Sequence, residues 1–285
     1  MTPPAIAIVD SHVHFWDPAR LPYPWLDGVP GLNRPFLTPD YAKASAPQRV
    51  KKMIFVEGGC DPAHSLAEVD WVTGLANAEP RLKGVVAHAA VEKGTAARVD
   101  LEKLLERQLV KGVRRNLQGE ADLAFCLRPE FLAGVRLLVD FNFSFDVCVR
   151  ADQLPSVTEL ICRTPEVTFV LDHFGKPPAR DGQTEPWAGH IKALAILPNV
   201  VCKISGLTTE ADWNRWAPSD LKFYFEHVLH CFGFDRVLFG SDWPVMTLAT
   251  SFDGWVETVQ GFLTHANDSD RTKLFQTNSE RIYHV

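Results

Sequence analysis

The chain has 285 residues, 46% of them apolar and 22% charged, with a formal net charge of -6. That is enough apolar material for one large core and too little charge for a disordered chain. An acidic balance without a basic stripe argues against nucleic acid as a partner, and no apolar run is long enough to span a membrane.

In chain order, eight short apolar runs rich in β-branched residues recur, at 5–15, 51–59, 82–91, 109–117, 143–149, 167–175, 199–207 and 236–244. Near-continuous apolar runs predict strands buried on both faces. Helical spacing fills the gaps between them. The pattern predicts helices over 62–79, where Leu66, Val69, Val72 and Leu75 share a face, and over 100–108, 129–141, 153–163, 187–197, 218–232, 252–265 and 269–283. Thr38-Pro39-Asp40 reads as a further helix start with threonine as the cap, and Asp268-Ser269 as the cap of the final helix. The segment 15–47 is the exception, with seven prolines alongside Trp16, Tyr23 and Trp25. It is too long for an ordinary strand-to-helix loop and predicts a lid or pocket wall.

Eightfold β–α alternation gives a closed barrel or a doubly wound open sheet. The first strand is followed by no glycine-rich phosphate loop, which counts against the dinucleotide-binding sheet. The polar clusters all fall at the C-terminal ends of predicted strands, where barrel active sites sit. The expectation is a single (β/α)8 TIM barrel over residues 1–285. The six cysteines are scattered with no CxxC pair, as expected of reduced thiols in a cytoplasmic protein. The N-terminal MTPPAIAIVDSH has neither the basic region nor the apolar core of a leader. How the chain assembles is not legible in the sequence.

The chemistry concentrates at four strand ends. His12 and His14 lie two apart, so both point to one face of the first strand. If that face looks inward, two imidazoles converge where they can bind one cation or one anionic group. His173 ends the sixth run, with Asp172 expected on the opposite face. Asp242 ends the eighth. A carboxylate among histidines can take a proton from water and pass it on, which makes Asp242 and His173 the catalytic candidates. Glu57 ends the second run, and Arg114, Arg115 and Asn116 end the fourth. Alternation lets only one of the two arginines face inward, with Arg114 preferred. Glu57, Arg114, Asn116 and the loop residues Lys176 and Trp213 are the candidate substrate contacts. Asp146 and Cys148 lie in the fifth run, Lys203 and Ser205 in the seventh, and His88 in the third.

Four strings narrow the reading: Asp10-Ser-His-Val-His-Phe-Trp-Asp17, Leu171-Asp-His-Phe-Gly-Lys-Pro177, 202–213 (CKISGLTTEADW) and Phe239-Gly-Ser-Asp-Trp-Pro244. Together they resemble the amidohydrolase superfamily, its "amidohydrolase 2" branch, and within it the sugar-acid lactonases of the L-fuconolactonase and L-rhamnono-lactonase group. The resemblance runs over nearly the whole chain. It implies hydrolysis of the ester in a sugar-acid lactone by water activated at Asp242. Superfamily members with a full metal site carry a histidine at the end of strand five, and this chain has Phe145-Asp-Val-Cys-Val149 there. Strand four also lacks a lysine for a bridging carbamate. The resemblance therefore implies one divalent ion at most, zinc before manganese, on His12, His14 and Asp242, or the metal-free route of the related pyrone-dicarboxylate lactonases. Three alternatives compete with this reading. A dicarboxylate lactone from aromatic breakdown would want two or more arginines in the mouth. Decarboxylation on the same scaffold would want a firm metal site. A non-enzymatic barrel would be expected to have lost one of the four central residues.

Overall fold

A computed structural model describes residues 6–285. Each apolar run supplies one strand: β1 (Ala7–Val13), β2 (Arg49–Val56), β3 (Leu82–His88), β4 (Val110–Arg114), β5 (Ser144–Val147), β6 (Phe169–Leu171), β7 (Val200–Ile204) and β8 (Val237–Phe239). They form one parallel sheet in sequence order. The seam between β8 and β1 closes through Asp242 N–H to His12 O (2.8 Å) and His14 N–H to Trp243 O (2.7 Å). Just beneath, the Ser11 hydroxyl donates to Phe239 O at 2.7 Å. The result is the expected (β/α)8 barrel.

The helices are α1 (Thr38–Ala44), α2 (Ser65–Leu75), α3 (Arg98–Leu105), α4 (Pro129–Arg136), α5 (Leu138–Phe141), α6 (Leu154–Arg163), α7 (Trp187–Ala195), α8 (Pro218–Phe232), α9 (Phe252–Phe262), α10 (Asp268–Thr272) and α11 (Asn278–Tyr283). Among the described residues no helix is long and apolar enough to cross a membrane. Two apolar layers result. Ile54, Val56, Val86, Val170, Val201, Leu238 and Tyr283 form a cluster within the barrel. The residues of opposite parity, such as Phe55, Val85, Phe145, Phe169 and Phe239, pack outward against the helices.

Several helix boundaries differ from the sequence pattern. The stretch 129–141 is two helices, because the Leu137 N–H turns back to Gly134 O and ends α4. The last predicted helix is α10, a π-helical turn over Lys273–Thr277, and α11. Thr38 is not a cap. Leu37 occupies that place, and its N–H is taken by the Asp40 carboxylate at 3.0 Å. The final cap is Asn267, whose side chain accepts from Asp270 N–H at 2.9 Å.

One contact locks α4 to the loop after β3. A Cβ added at Gly134 would lie 1.9 Å from the Val91 carbonyl oxygen. Gly134→Ala would normally favour a helix by roughly 0.5–1 kcal/mol. Here it is expected to destabilise the protein, by about 1–3 kcal/mol of overpacking. Urea denaturation of the variant reads the sign, and a gain in stability would refute the contact.

Candidate active site

β1 ends with His12 and His14 reaching into the C-terminal mouth. The His14 Nδ1 lies 2.8 Å from Val56 O. A carbonyl only accepts, so Nδ1 carries the hydrogen and Nε2 of the neutral ring keeps its lone pair. That Nε2 stands 3.2 Å from His12 Nε2. Asp242 Oδ1 sits 3.3 Å from His14 Nε2, 3.7 Å from His12 Nε2 and 3.9 Å from His173 Nε2. Three imidazoles and one carboxylate thus surround a common point. His173 is oriented from behind by Ser205 Oγ, 2.9 Å from its Nδ1.

Backbone geometry accounts for a misplaced expectation. Along β6, Val170 faces the barrel interior, so alternation turns Asp172 inward as well, not to the opposite face. His173 enters the site because the chain leaves extended geometry there, with φ of 53° at His173 and 57° at Phe174. Gly206 makes room for it: φ is +63°, and a Cβ would lie 2.4 Å from His173 Nδ1. Asp242 likewise has φ of 63°. Left-handed residues at two of the four central positions put strain where the chemistry is.

Beneath the four lies a buried charge network. Lys203 Nζ is 2.5 Å from Asp146 Oδ2, 3.1 Å from Asp172 Oδ1 and 3.2 Å from His12 Nδ1. The Asp172 Oδ1 receives no aligned hydrogen bond. It is held by the Lys203 charge and by His12 Nδ1 at 3.3 Å. Tyr283 OH donates to Asp146 Oδ2 at 2.7 Å, tying α11 to the floor. The Asp146–Lys203–Asp172 group and its link to His12 were missed from sequence. The signal was a pair of opposite charges within apolar strands, which says nothing by itself about who meets whom.

The electrostatics keep the Asp242 carboxylate charged and the His12 and His173 rings neutral. Burial would raise the Asp242 carboxyl, but His173, His14 and His12 together hold it well below the usual range. Burial pushes His173 down to about 4 against the pull of Asp242 and Asp172, and holds His12 well below its usual value. Burial would also raise Asp172, yet Lys203 and His12 keep it ionised.

A cavity of about 320 Å³ opens above this floor. Its lining includes His14, Arg114, Asn116, His173, Lys176 and Asp242, with Trp16 and Trp25 from the proline-rich segment. That segment is a wall fixed to the barrel: Trp25 Nε1 donates to Gly58 O at 2.9 Å, and Trp16 and Phe36 exchange backbone hydrogen bonds. Gln118 and Cys148 also line the cavity and were not singled out as site residues from sequence. Two candidates lie elsewhere. Glu57 is turned away from the cavity, accepting from Arg114 Nε (2.7 Å) and Gly59 N–H (2.8 Å). Trp213 lines a neighbouring cleft, as does His88 on another side. Arg115 points outward to Glu92 and Glu120.

Arg114 reaches the cavity, but its fork is committed to the protein. Nε and Nη2 bind Glu57 Oε1 and Glu57 O at 2.7 and 2.8 Å, and Nη1 binds Asp172 Oδ2 at 3.2 Å. A lysine keeps the charge and loses the fork. Arg114→Lys is expected to lower kcat/KM by about 10- to 100-fold, as one or two charge-assisted bonds are lost. Steady-state kinetics on a variant with an unchanged circular dichroism spectrum checks this, and unchanged kinetics would refute it.

Ligand chemistry also fits a metal. Two nitrogens bound tetrahedrally to zinc at about 2.0–2.1 Å are separated by roughly 3.3 Å. His12 Nε2, His14 Nε2 and Asp242 Oδ1 are separated by 3.2–3.7 Å. His12, His173 and Asp242 also form a compact set of potential ligand atoms. His12 stands with Nδ1 3.3 Å from Asp172 Oδ1 and Nε2 toward Asp242, so Nε2 is the atom it would offer a metal, with a carboxylate behind the ring as is common at metal sites.

A parallel barrel that gathers three imidazoles and an ionised aspartate at its C-terminal mouth defines an enzyme scaffold of the kind used for hydrolysis. The comparison with known sequences is specific. The chain belongs to the amidohydrolase family, whose profile matches residues 9–285. It is 32% identical to L-fucono-1,5-lactonase of Burkholderia multivorans over 300 residues, covering 96% of this chain and 95% of that one. It is 30% identical to L-fucono-1,5-lactonase of Burkholderia ambifaria, covering 97% and 95%. A crystal structure of an amidohydrolase from Burkholderia multivorans with bound zinc superposes with a TM-score of 0.88 at 33% identity, covering 98% of this chain and 100% of that one.

Proposed function

We propose that this protein hydrolyses the ring ester of a sugar-acid lactone to the open aldonic acid. The observation that carries the reading is the convergence of Asp242 with His12, His14 and His173 under a cavity sized for a small ligand. The similarity to two L-fucono-1,5-lactonases supports the substrate class.

In this reading the lactone carbonyl lies over the imidazoles, with the ring against Trp16 and Trp25. Asp242 accepts a proton from the attacking water as its oxygen bonds to the carbonyl carbon. The ring C–O bond then breaks, and the departing oxygen takes the proton from Asp242 as it becomes a hydroxyl. Asn116 and Lys176 meet the substrate hydroxyls. Arg114 on the cavity wall and Glu57 behind it keep Asp172 and the wall in place. The cavity's one arginine is spent on internal carboxylates, which favours a polyhydroxylated lactone over a dicarboxylate one.

One divalent ion, zinc before manganese, would be held by His12, His14 and Asp242 with His173 beside them. When bound it supplies an acidified water and a polarised carbonyl, which suits a carboxylate as acidic as Asp242. The test pairs a pH-indicator assay of L-fucono-1,5-lactone and other aldonolactones with elemental analysis before and after chelation. Chelation is expected to remove one ion per chain and with it most of the activity. Full activity in a metal-free sample would remove the ion from the mechanism and leave the polarising role to donors of the protein itself. Opening of no aldonolactone by the metal-replete enzyme would overturn the function.

A further inference from the structure

Beside the catalytic cavity lies a second cleft of about 450 Å³, on the same face of the barrel. Three strand-to-helix loops build it. Arg150 and Asp152 follow β5, Lys176 and Arg180 follow β6, and Glu210 and Trp213 follow β7. Lys176 lines both spaces, so the cleft continues from the site. A second link is Arg150, whose Nε donates at 3.3 Å to the backbone oxygen of Gln118, another residue of the central cavity.

Trp213 is the odd feature of this surface. It is 45% exposed, and Trp213 and Phe223 are the only large aromatics so exposed among the described residues. Its indole is nevertheless oriented, since Nε1 donates to Thr209 O at 2.8 Å. A fixed aromatic face left in water forgoes the stabilisation of burial, and it lowers the ordering cost for a ligand that stacks on it. Around it stand two guanidinium groups, two carboxylates and an ammonium, with Lys176 Nζ paired to Glu210 Oε1 at 3.0 Å. A flat apolar face ringed by planar donors and acceptors matches a sugar ring, which has an apolar face and a rim of hydroxyls.

We propose that this cleft is a subsite for a second sugar ring, so that the enzyme takes aldonolactones bearing a glycosyl substituent. The proposal rests on the lactonase reading for what occupies the central cavity. The lactone ring lies over Asp242 and its substituent passes Lys176 onto Trp213. The experiment compares kcat/KM for simple hexonolactones with that for disaccharide aldonolactones linked 1,4 and 1,6, in the wild type, Trp213→Ala and Arg180→Ala. The wild type is expected to prefer one of the disaccharide lactones. Trp213→Ala should lower the ratio of disaccharide to monosaccharide kcat/KM about tenfold, equivalent to about 1.4 kcal/mol, and Arg180→Ala severalfold.

Calorimetry with the corresponding ring-opened disaccharide acids reads the same subsite without turnover, and Trp213→Ala should weaken that binding. If simple lactones are opened and neither ratio nor binding responds to Trp213, the subsite is overturned while the lactonase reading stands. If no lactone is opened, the reading of the site fails. Calorimetry then decides the cleft alone: binding that depends on Trp213 supports it, and its absence overturns it.

Discussion

Asparagine in place of Asp242 is expected to lower kcat for lactone opening by about two to four orders of magnitude, the usual worth of general acid–base catalysis. The substitution keeps the side-chain shape and removes the proton acceptor. The carboxylate is well placed for the role, because the three rings hold it ionised and its Oδ1 lies within 3.9 Å of a nitrogen of each. Metal content separates its two duties. A variant that keeps its ion and loses turnover has lost the base; one that loses both has lost a ligand as well. Near-normal kcat would remove Asp242 from the mechanism.

Lys203→Met should destabilise the protein by about 3–5 kcal/mol, the cost of leaving buried charge without its partner. Lys203, Asp146 and Asp172 are fully buried. Adding Asp146→Asn is expected to recover part of the loss, because one of the two stranded carboxylates goes with it. Urea denaturation of the single and double variants reads both effects. A single variant as stable as the wild type would mean that the network contributes nothing to the fold. The activity of the single variant should fall too, since Asp172 loses the charge that holds it against His12.

The strands were legible because a barrel strand is buried on both faces and announces itself as an apolar run. The four central residues were legible because each breaks such a run at its end. Asp172 was misplaced for a local reason: alternation was counted from His173, whose left-handed backbone takes it off the strand's period. The Lys203 network is a property of packing. Asp146 and Lys203 belong to strands separated by β6, and only barrel closure decides that they meet. Glu57 and Trp213 were assigned by position near the mouth, and position does not say that one turns to Arg114 and Gly59 while the other lines the neighbouring cleft. Parity on β4 lets only one of two neighbouring arginines face inward, and it is Arg114 that lines the cavity while Arg115 pairs with Glu92 and Glu120 outside. Thr38 failed as a cap because Asp40 already satisfies the start of α1 from within the helix.

The barrel seam bears on how activity is acquired in time. His12 and His14 belong to the first strand and Asp242 follows the last, and the bonds that zip those strands together run through these same residues. The Ser11–Phe239 contact spans 228 positions of chain. Loop closure of that length is a late and slow event in folding. An intermediate with most of its strands paired would have most of its secondary structure and no catalytic centre. Recovery of turnover after dilution from denaturant should therefore trail the return of far-ultraviolet ellipticity and report, as a clock, the moment the first strand finds the eighth.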